Sequence, residues 1–200
     1  MPSRVEQRRA TYLRIVEVAV EALIENGYAA TTALAVQKRA GITRGAMLHH
    51  FPTREELSTA AVQRLVEMNL EGLREESDST PRDGDPVIRG IHVLYSASRR
   101  KGFATELELW AAARVDAKLR AALLGTERVA RKQLYEMIDD IFGSEVVARP
   151  GYRAMVDMTV QFIRGLTISG TMQERSSTPG LVDDWAAAAK AILDSDSTQS

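Results

Sequence analysis

The chain has 200 residues, 44% of them hydrophobic and 26% charged, the proportions of a globular protein able to bury a core of its own. Zero cysteines exclude disulfides, thiolate metal sites and cysteine nucleophiles, and fit a reducing cytosol. No apolar run approaches the ~18 residues of a membrane span, and the N-terminus lacks a signal peptide's apolar core, so a cytoplasmic protein is expected.

The net charge of −1 conceals an asymmetry. Residues 1–54 carry eight basic and four acidic side chains, whereas residues 55–200 carry 18 basic and 23 acidic ones. A basic head on an acidic body points to an anionic partner for the head.

All six prolines fall between segments whose apolar residues recur at helical spacing, and long alternating runs are absent, so the chain reads as all-α. The first helix covers about 7–26, with Tyr12, Ile15, Val16, Ala19, Val20 and Leu23 as its buried stripe and Asn26-Gly27 as its stop. Two short helices follow near 32–39 and 43–50, separated by Gly41-Ile42. Thr53 and Glu56 form a capping box that opens a long helix to about Glu75, and the polar segment from Glu76 to Pro86 reads as a loop. Further helices are expected near 86–101, 105–113, 116–142, 150–173 and 180–194, with SDSTQS at the C-terminus disordered.

Function concentrates in residues 31–51. Two short helices joined by a glycine turn make a helix-turn-helix, with Thr31 or Thr32 capping the first and Thr43 the second. Small Gly45 and Ala46 let the second helix approach a groove, and Arg44 suits guanine edges. Thr32, Thr43, His49 and His50 offer hydroxyls and ring nitrogens for phosphate oxygens, assisted by the positive ends of the short helices.

These residues resemble a known family. Glu25-Asn26-Gly27-Tyr28, Thr31-Thr32, Ala40-Gly41-Ile42-Thr43-Arg44-Gly45, His50-Phe51 and Arg54-Glu55-Glu56-Leu57 are similar to the DNA-binding head of the TetR family of transcriptional regulators. The chain departs from that pattern at Leu48, where the family usually has a tyrosine that touches the DNA backbone, and at Val36-Gln37, where it often has Ile-Ala. The resemblance implies a homodimer with a head over 1–52 that binds operator DNA. A helical body over 53–200 would hold a small effector and dimerise through its last two long helices. DNA contacts are then expected from Thr31, Thr32, Thr43, Arg44, Gly45, Ala46, Leu48, His49, His50 and Arg54.

The body fits that expectation. The 150–173 helix is apolar on two sides, which calls for two partners: its own domain and something else. An apolar or amphipathic effector would be lined by Tyr95, Phe103, Trp110, Tyr135, Met155, Met158 and Phe162. The dimer seam would take Val160, Ile163, Thr167 and Gly170 with Leu181, Trp185, Ala188 and Ile192.

Enzymatic readings find little footing. No Ser-His-Asp grouping, phosphate-cradling glycine loop or metal-ligand spacing occurs, and paired acids such as Glu106/Glu108 do not face each other on a helix. Adjacent His49 and His50 point about 100° apart, which argues against a shared metal ion. No cofactor is implied. The competing reading is a helical small-molecule-binding or enzymatic protein whose head makes protein contacts.

Overall fold

The computed structural model describes residues 3–170 and 178–196, and every regular element among them is a helix. In chain order these are α1 (Arg4–Ala30), α2 (Ala33–Ala40), α3 (Arg44–His50), α4 (Arg54–Ser79) and α5 (Pro86–Ser98). They continue as α6 (Lys101–Ala113), α7 (Ala117–Phe142), α8 (Ser144–Val147), α9 (Tyr152–Ser169) and α10 (Thr178–Asp196).

The local chemistry of the boundaries is legible. Ser3 caps α1 in a reciprocal box with Glu6, which starts the helix three residues earlier than expected. Gly27, at φ 73°, breaks the helical path inside α1, so the expected stop is a kink followed by one more short segment. Thr32 and Thr43 cap α2 and α3 by accepting from the Ala35 and Ala46 amides at 3.1 and 3.2 Å. Gly41 adopts the left-handed conformation, φ 62°, and turns the chain between these two helices. The Glu56 amide donates to Thr53 at the start of α4, which runs four residues past its expected end. The one-turn helix α8 carries no periodic signal of its own. The helix expected over 150–173 ends at Ser169 with Gly170 as its cap, and residues 171–173 lie outside the described residues, as do the last four residues of the C-terminal tail; Ser195 and Asp196 belong to α10.

By packing, the chain forms two compact units. One comprises residues 1–68 with 105–130; the other comprises 69–104 with 131–200. Helices α4 and α7 each begin in the first unit and end in the second.

The first unit buries Ile15, Ala19, Val20 and Leu23 of α1, Val36 and Ala40 of α2 and Met47 of α3. Leu57, Ala61 and Leu65 of α4 and Leu107 and Leu109 of α6 complete it. Tyr12 is not in this stripe: it sits at the surface, its ring stacked on Phe51 at 5.1 Å. The second unit closes around Val87, Ile91 and Leu94 of α5, Ile138 and Phe142 of α7, Met155 and Val156 of α9, and Val182, Ala189 and Leu193 of α10.

Candidate nucleic-acid interface

Met47 anchors α3 in the core of the first unit, with 3% of its surface exposed. That orientation turns Thr43, Arg44, Gly45, Leu48 and His49 outward and leaves Ala46 and His50 half-buried. Arg44 has no hydrogen-bond or ion-pair partner among the described residues. Arg39 contrasts with it: its guanidinium is tied to Glu21 at 2.9 Å and to both carboxylate oxygens of Glu25, one at 3.0 Å. These bonds clamp α2 to α1 and hold Arg39 firmly in its charged form. The head's excess positive charge is therefore not evenly available, and α3 carries a guanidinium with nothing of its own to bind.

Thr31 departs from its expected place. It is buried, and its hydroxyl donates to the Gly27 carbonyl at 2.9 Å, so it braces the end of α1 instead of facing outward. Thr32 and Thr43 keep their hydroxyls at exposed helix starts. Arg54 is exposed, with its guanidinium 5.2 Å from the centre of the Tyr28 ring. The His49 and His50 rings meet edge to face at 5.5 Å. Burial, reinforced by the charges of His49 and Arg8, lowers the His50 pKa below its ordinary value, so this imidazole is neutral at pH 7. Among the described residues no group of three or more His, Asp or Glu side chains is placed to hold a metal ion.

A network that sequence reading missed lies behind the head. The Tyr28 hydroxyl donates to Asp116 at 3.2 Å, and Lys118 pairs with Glu55 at 2.8 Å. Asp116 also caps α7 by accepting from the Lys118 and Leu119 amides, both at 3.0 Å. The partners stand 88 and 63 positions apart, and no local pattern announces them.

The residues expected in the body divide between the two units. Tyr95, Phe103, Tyr135 and Phe162 are half-buried against the core of the second, and Met155 is fully inside it. Trp110 belongs to the first. On α9 the expected faces are kept only in part. Val160 and Ile163, expected at a dimer seam, are buried in the core, because α9 packs on α5 and α10 through that side. Met158, expected in the pocket, is 46% exposed. Thr167 and Gly170 are half-buried at the end of α9, and the Thr167 hydroxyl donates to the Ile163 carbonyl. On α10 the buried residues are Val182, Ala186, Ala189 and Leu193, while Leu181, Ala188 and Ile192 are exposed. Trp185 lies between these sides, its ring 5.6 Å from Phe162 and its indole N–H donating to Thr159 at 3.0 Å.

A capped helix pair with its outer face uncommitted defines a helix-turn-helix DNA-binding regulator. Residues 15–61 match the family model described as bacterial regulatory proteins, tetR family. The chain is 24% identical over 163 residues to an uncharacterized HTH-type transcriptional regulator of Mycobacterium tuberculosis, covering 82% of this chain and 84% of the relative. It is 26% identical over 172 residues to the HTH-type transcriptional regulator CymR of Pseudomonas putida, covering 86% and 85%. The crystal structure of the multidrug binding protein EbrR complexed with imidazole superimposes with a TM-score of 0.60 at 18% identity, covering 96% of each chain. The protein is a helix-turn-helix transcriptional regulator, and its head, residues 15–61, is similar to that of the tetR family.

Proposed function

We propose that the chain is a homodimeric, cytoplasmic repressor whose α3 reads operator DNA and whose body is controlled by a small apolar or amphipathic effector. The observation that carries the DNA-reading role is Arg44: exposed, without a partner among the described residues, on a helix fixed from behind by Met47. Arg44 reads guanine, and Thr32, Thr43, His49, His50 and Arg54 hold phosphate oxygens. Residues 1–52 act as the DNA-binding domain and 53–200 as the effector and dimerisation domain.

The exposed sides of α9 and α10 support the dimer. Phe162 resting on Trp185 sets the stripe of Met158, Phe162 and Gly165 beside that of Leu181, Trp185 and Ala188, and together they make one apolar face. A two-fold contact would bury this face against its own copy. Trp185 is thus a dimer residue, while Val160 and Ile163 serve the monomer's core.

The effector reading draws support from aromatic side chains held half-buried at the core of the second unit, Tyr95, Phe103 and Tyr135 among them. Its likeness to EbrR, a multidrug binding protein, points the same way. Since α4 and α7 each run from one unit into the other, an effector that favours one of two settings of these helices would alter the head.

Selection of bound fragments from genomic DNA tests this reading. A recurring palindrome whose half-sites lie about one DNA turn apart is expected, with repression of the adjoining promoter in a reporter strain. Binding that ignores sequence, or a promoter that is activated, would overturn it.

A further inference from the structure

The turn between α6 and α7 carries a groove of about 450 Å³, within the range of roughly 300–1,000 Å³ typical of small-molecule sites. Its floor is apolar: Trp110 and Ala113 from α6, Leu123 and Leu124 from α7. Leu124 is 65% exposed and Val115, on the turn itself, 90% exposed, so large aliphatic side chains face solvent at this one hairpin. Arg114 and Arg120 stand at the rim, and among the described residues neither has an ion-pair partner. Three other cations of this unit are engaged: Arg39 with Glu21 and Glu25, Arg64 with Glu17, and Lys118 with Glu55. Glu127 is the groove's single acidic lining residue.

We propose that this groove is a binding site for a singly charged anionic amphiphile, an aryl or acyl carboxylate. The carboxylate sits between Arg114 and Arg120, which answer its charge in a fork geometry that lysine lacks. The apolar part lies on Trp110 and Leu124, where a flat ring or a chain covers side chains that water now meets. Glu127 disfavours a second anionic group on the same ligand. The groove shares its turn with Asp116 and Lys118, the residues that hold Tyr28 of α1 and Glu55 of α4. An occupant that draws Arg114 and Arg120 together therefore acts on the turn that grips the head. Only this last consequence rests on the effector reading above; the binding site does not.

Calorimetric titration of the full chain with 2-naphthoate, and with its neutral amide, tests the proposal. One naphthoate per chain is expected to bind, with the amide about tenfold weaker. The Arg114→Ala/Arg120→Ala variant should hold the acid no better than the amide, and Leu124→Asp should abolish binding of both. Both substitutions fall on exposed positions, so thermal melting should remain near wild type. No heat from naphthoate at about millimolar concentration would overturn the proposal. So would equal affinity of wild type and the double arginine variant. Operator affinity measured in parallel separates the two readings: naphthoate that binds through the arginines and leaves DNA binding unchanged establishes the site and removes its effector role.

Discussion

The Tyr28 hydroxyl donates to Asp116 across 3.2 Å, joining the end of α1 to the residue that caps α7. Burial and the negative charge of Asp116 raise the Tyr28 pKa, so the phenol stays a donor throughout the neutral range. Bonding to the Leu119 amide, and then to Tyr28, lowers the Asp116 pKa, so the carboxylate is present to accept. The contribution of a depressed carboxylate is complete above its ordinary value and is lost as pH falls through its folded value. The link therefore persists through mildly acid conditions.

Tyr28→Phe deletes this bond and keeps the ring under Arg54. A loss of about 0.5–1.5 kcal/mol in global stability is expected, readable as a lower urea midpoint at unchanged slope. Asp116→Ala should lower the midpoint further, since it also removes the cap of α7. Equal midpoints for the two variants would show that the cap contributes nothing.

Arg44 is expected to specify one base pair. Arg44→Ala should cost about 1–3 kcal/mol at the cognate sequence and relax preference at a single position of each half-site. Arg54→Ala, by contrast, should weaken all sequences alike and make binding less salt-dependent. Fragment selection with each variant checks both. An unchanged selected sequence for Arg44→Ala would remove it from base reading.

Helix positions and their caps were largely legible in the chain, because Thr32, Thr43, Thr53, Gly27 and Gly41 act on neighbours within four residues. The faces of α9 were not. Periodicity shows that both the Met158-Phe162 side and the Val160-Ile163 side are apolar, but it does not say which meets α5 and α10 of the same chain. Thr31 and Thr32 present the same kind of ambiguity: two adjacent hydroxyls suit a helix start, and only the kink at Gly27 decides which one turns inward. Asp116 was invisible for a different reason. Its partner Tyr28, like Glu55, the partner of neighbouring Lys118, is brought to it by the packing of α1, α4 and α7, which no local window records.

Leu48 stands at half exposure, 50%, one helical turn beyond Arg44 on the same side of α3. An aliphatic side chain on a DNA-reading face recognises the thymine 5-methyl group, the apolar feature of the major groove. Replacing thymine by uracil, base pair by base pair, in the selected operator should weaken wild-type binding about threefold to tenfold at one position per half-site. Leu48→Ala should erase that difference. A uracil-substituted operator that binds as tightly as the thymine form at every position would exclude this contact.

The dimer assignment turns on exposed side chains, which makes it separable from folding. Leu181→Glu should leave thermal melting of the monomer near wild type and weaken self-association about a hundredfold or more, because a two-fold seam meets the new charge twice. Val129→Glu, an exposed position on α7, should leave self-association unchanged. Ile163→Glu should unfold the second unit instead, since that side chain is buried. Sedimentation equilibrium at micromolar concentration distinguishes these outcomes, and a Leu181→Glu chain that stays dimeric would move the seam elsewhere.

His50 supplies the pH dependence. Burial, and then the charges of His49 and Arg8, depress its pKa, so the free protein holds a neutral ring at pH 7. A DNA phosphate beside the ring favours the protonated form, so binding draws in a proton wherever the free protein lacks one. Operator affinity should therefore rise as pH falls from about 7.5 toward 5.5, across the usual histidine range, at constant ionic strength. Free-protein stability should move the opposite way: the contribution of a histidine held neutral is present above its ordinary value and is lost as pH falls through its lowered folded value. His50→Gln keeps a donor without a titrating charge, so it should flatten both profiles relative to wild type while leaving binding near pH 7.5 little changed. Fluorescence anisotropy with labelled operator reads the first profile and chemical denaturation the second. If the His50→Gln affinity profile parallels that of wild type, the ring is not at the phosphate and the pH response belongs to another group.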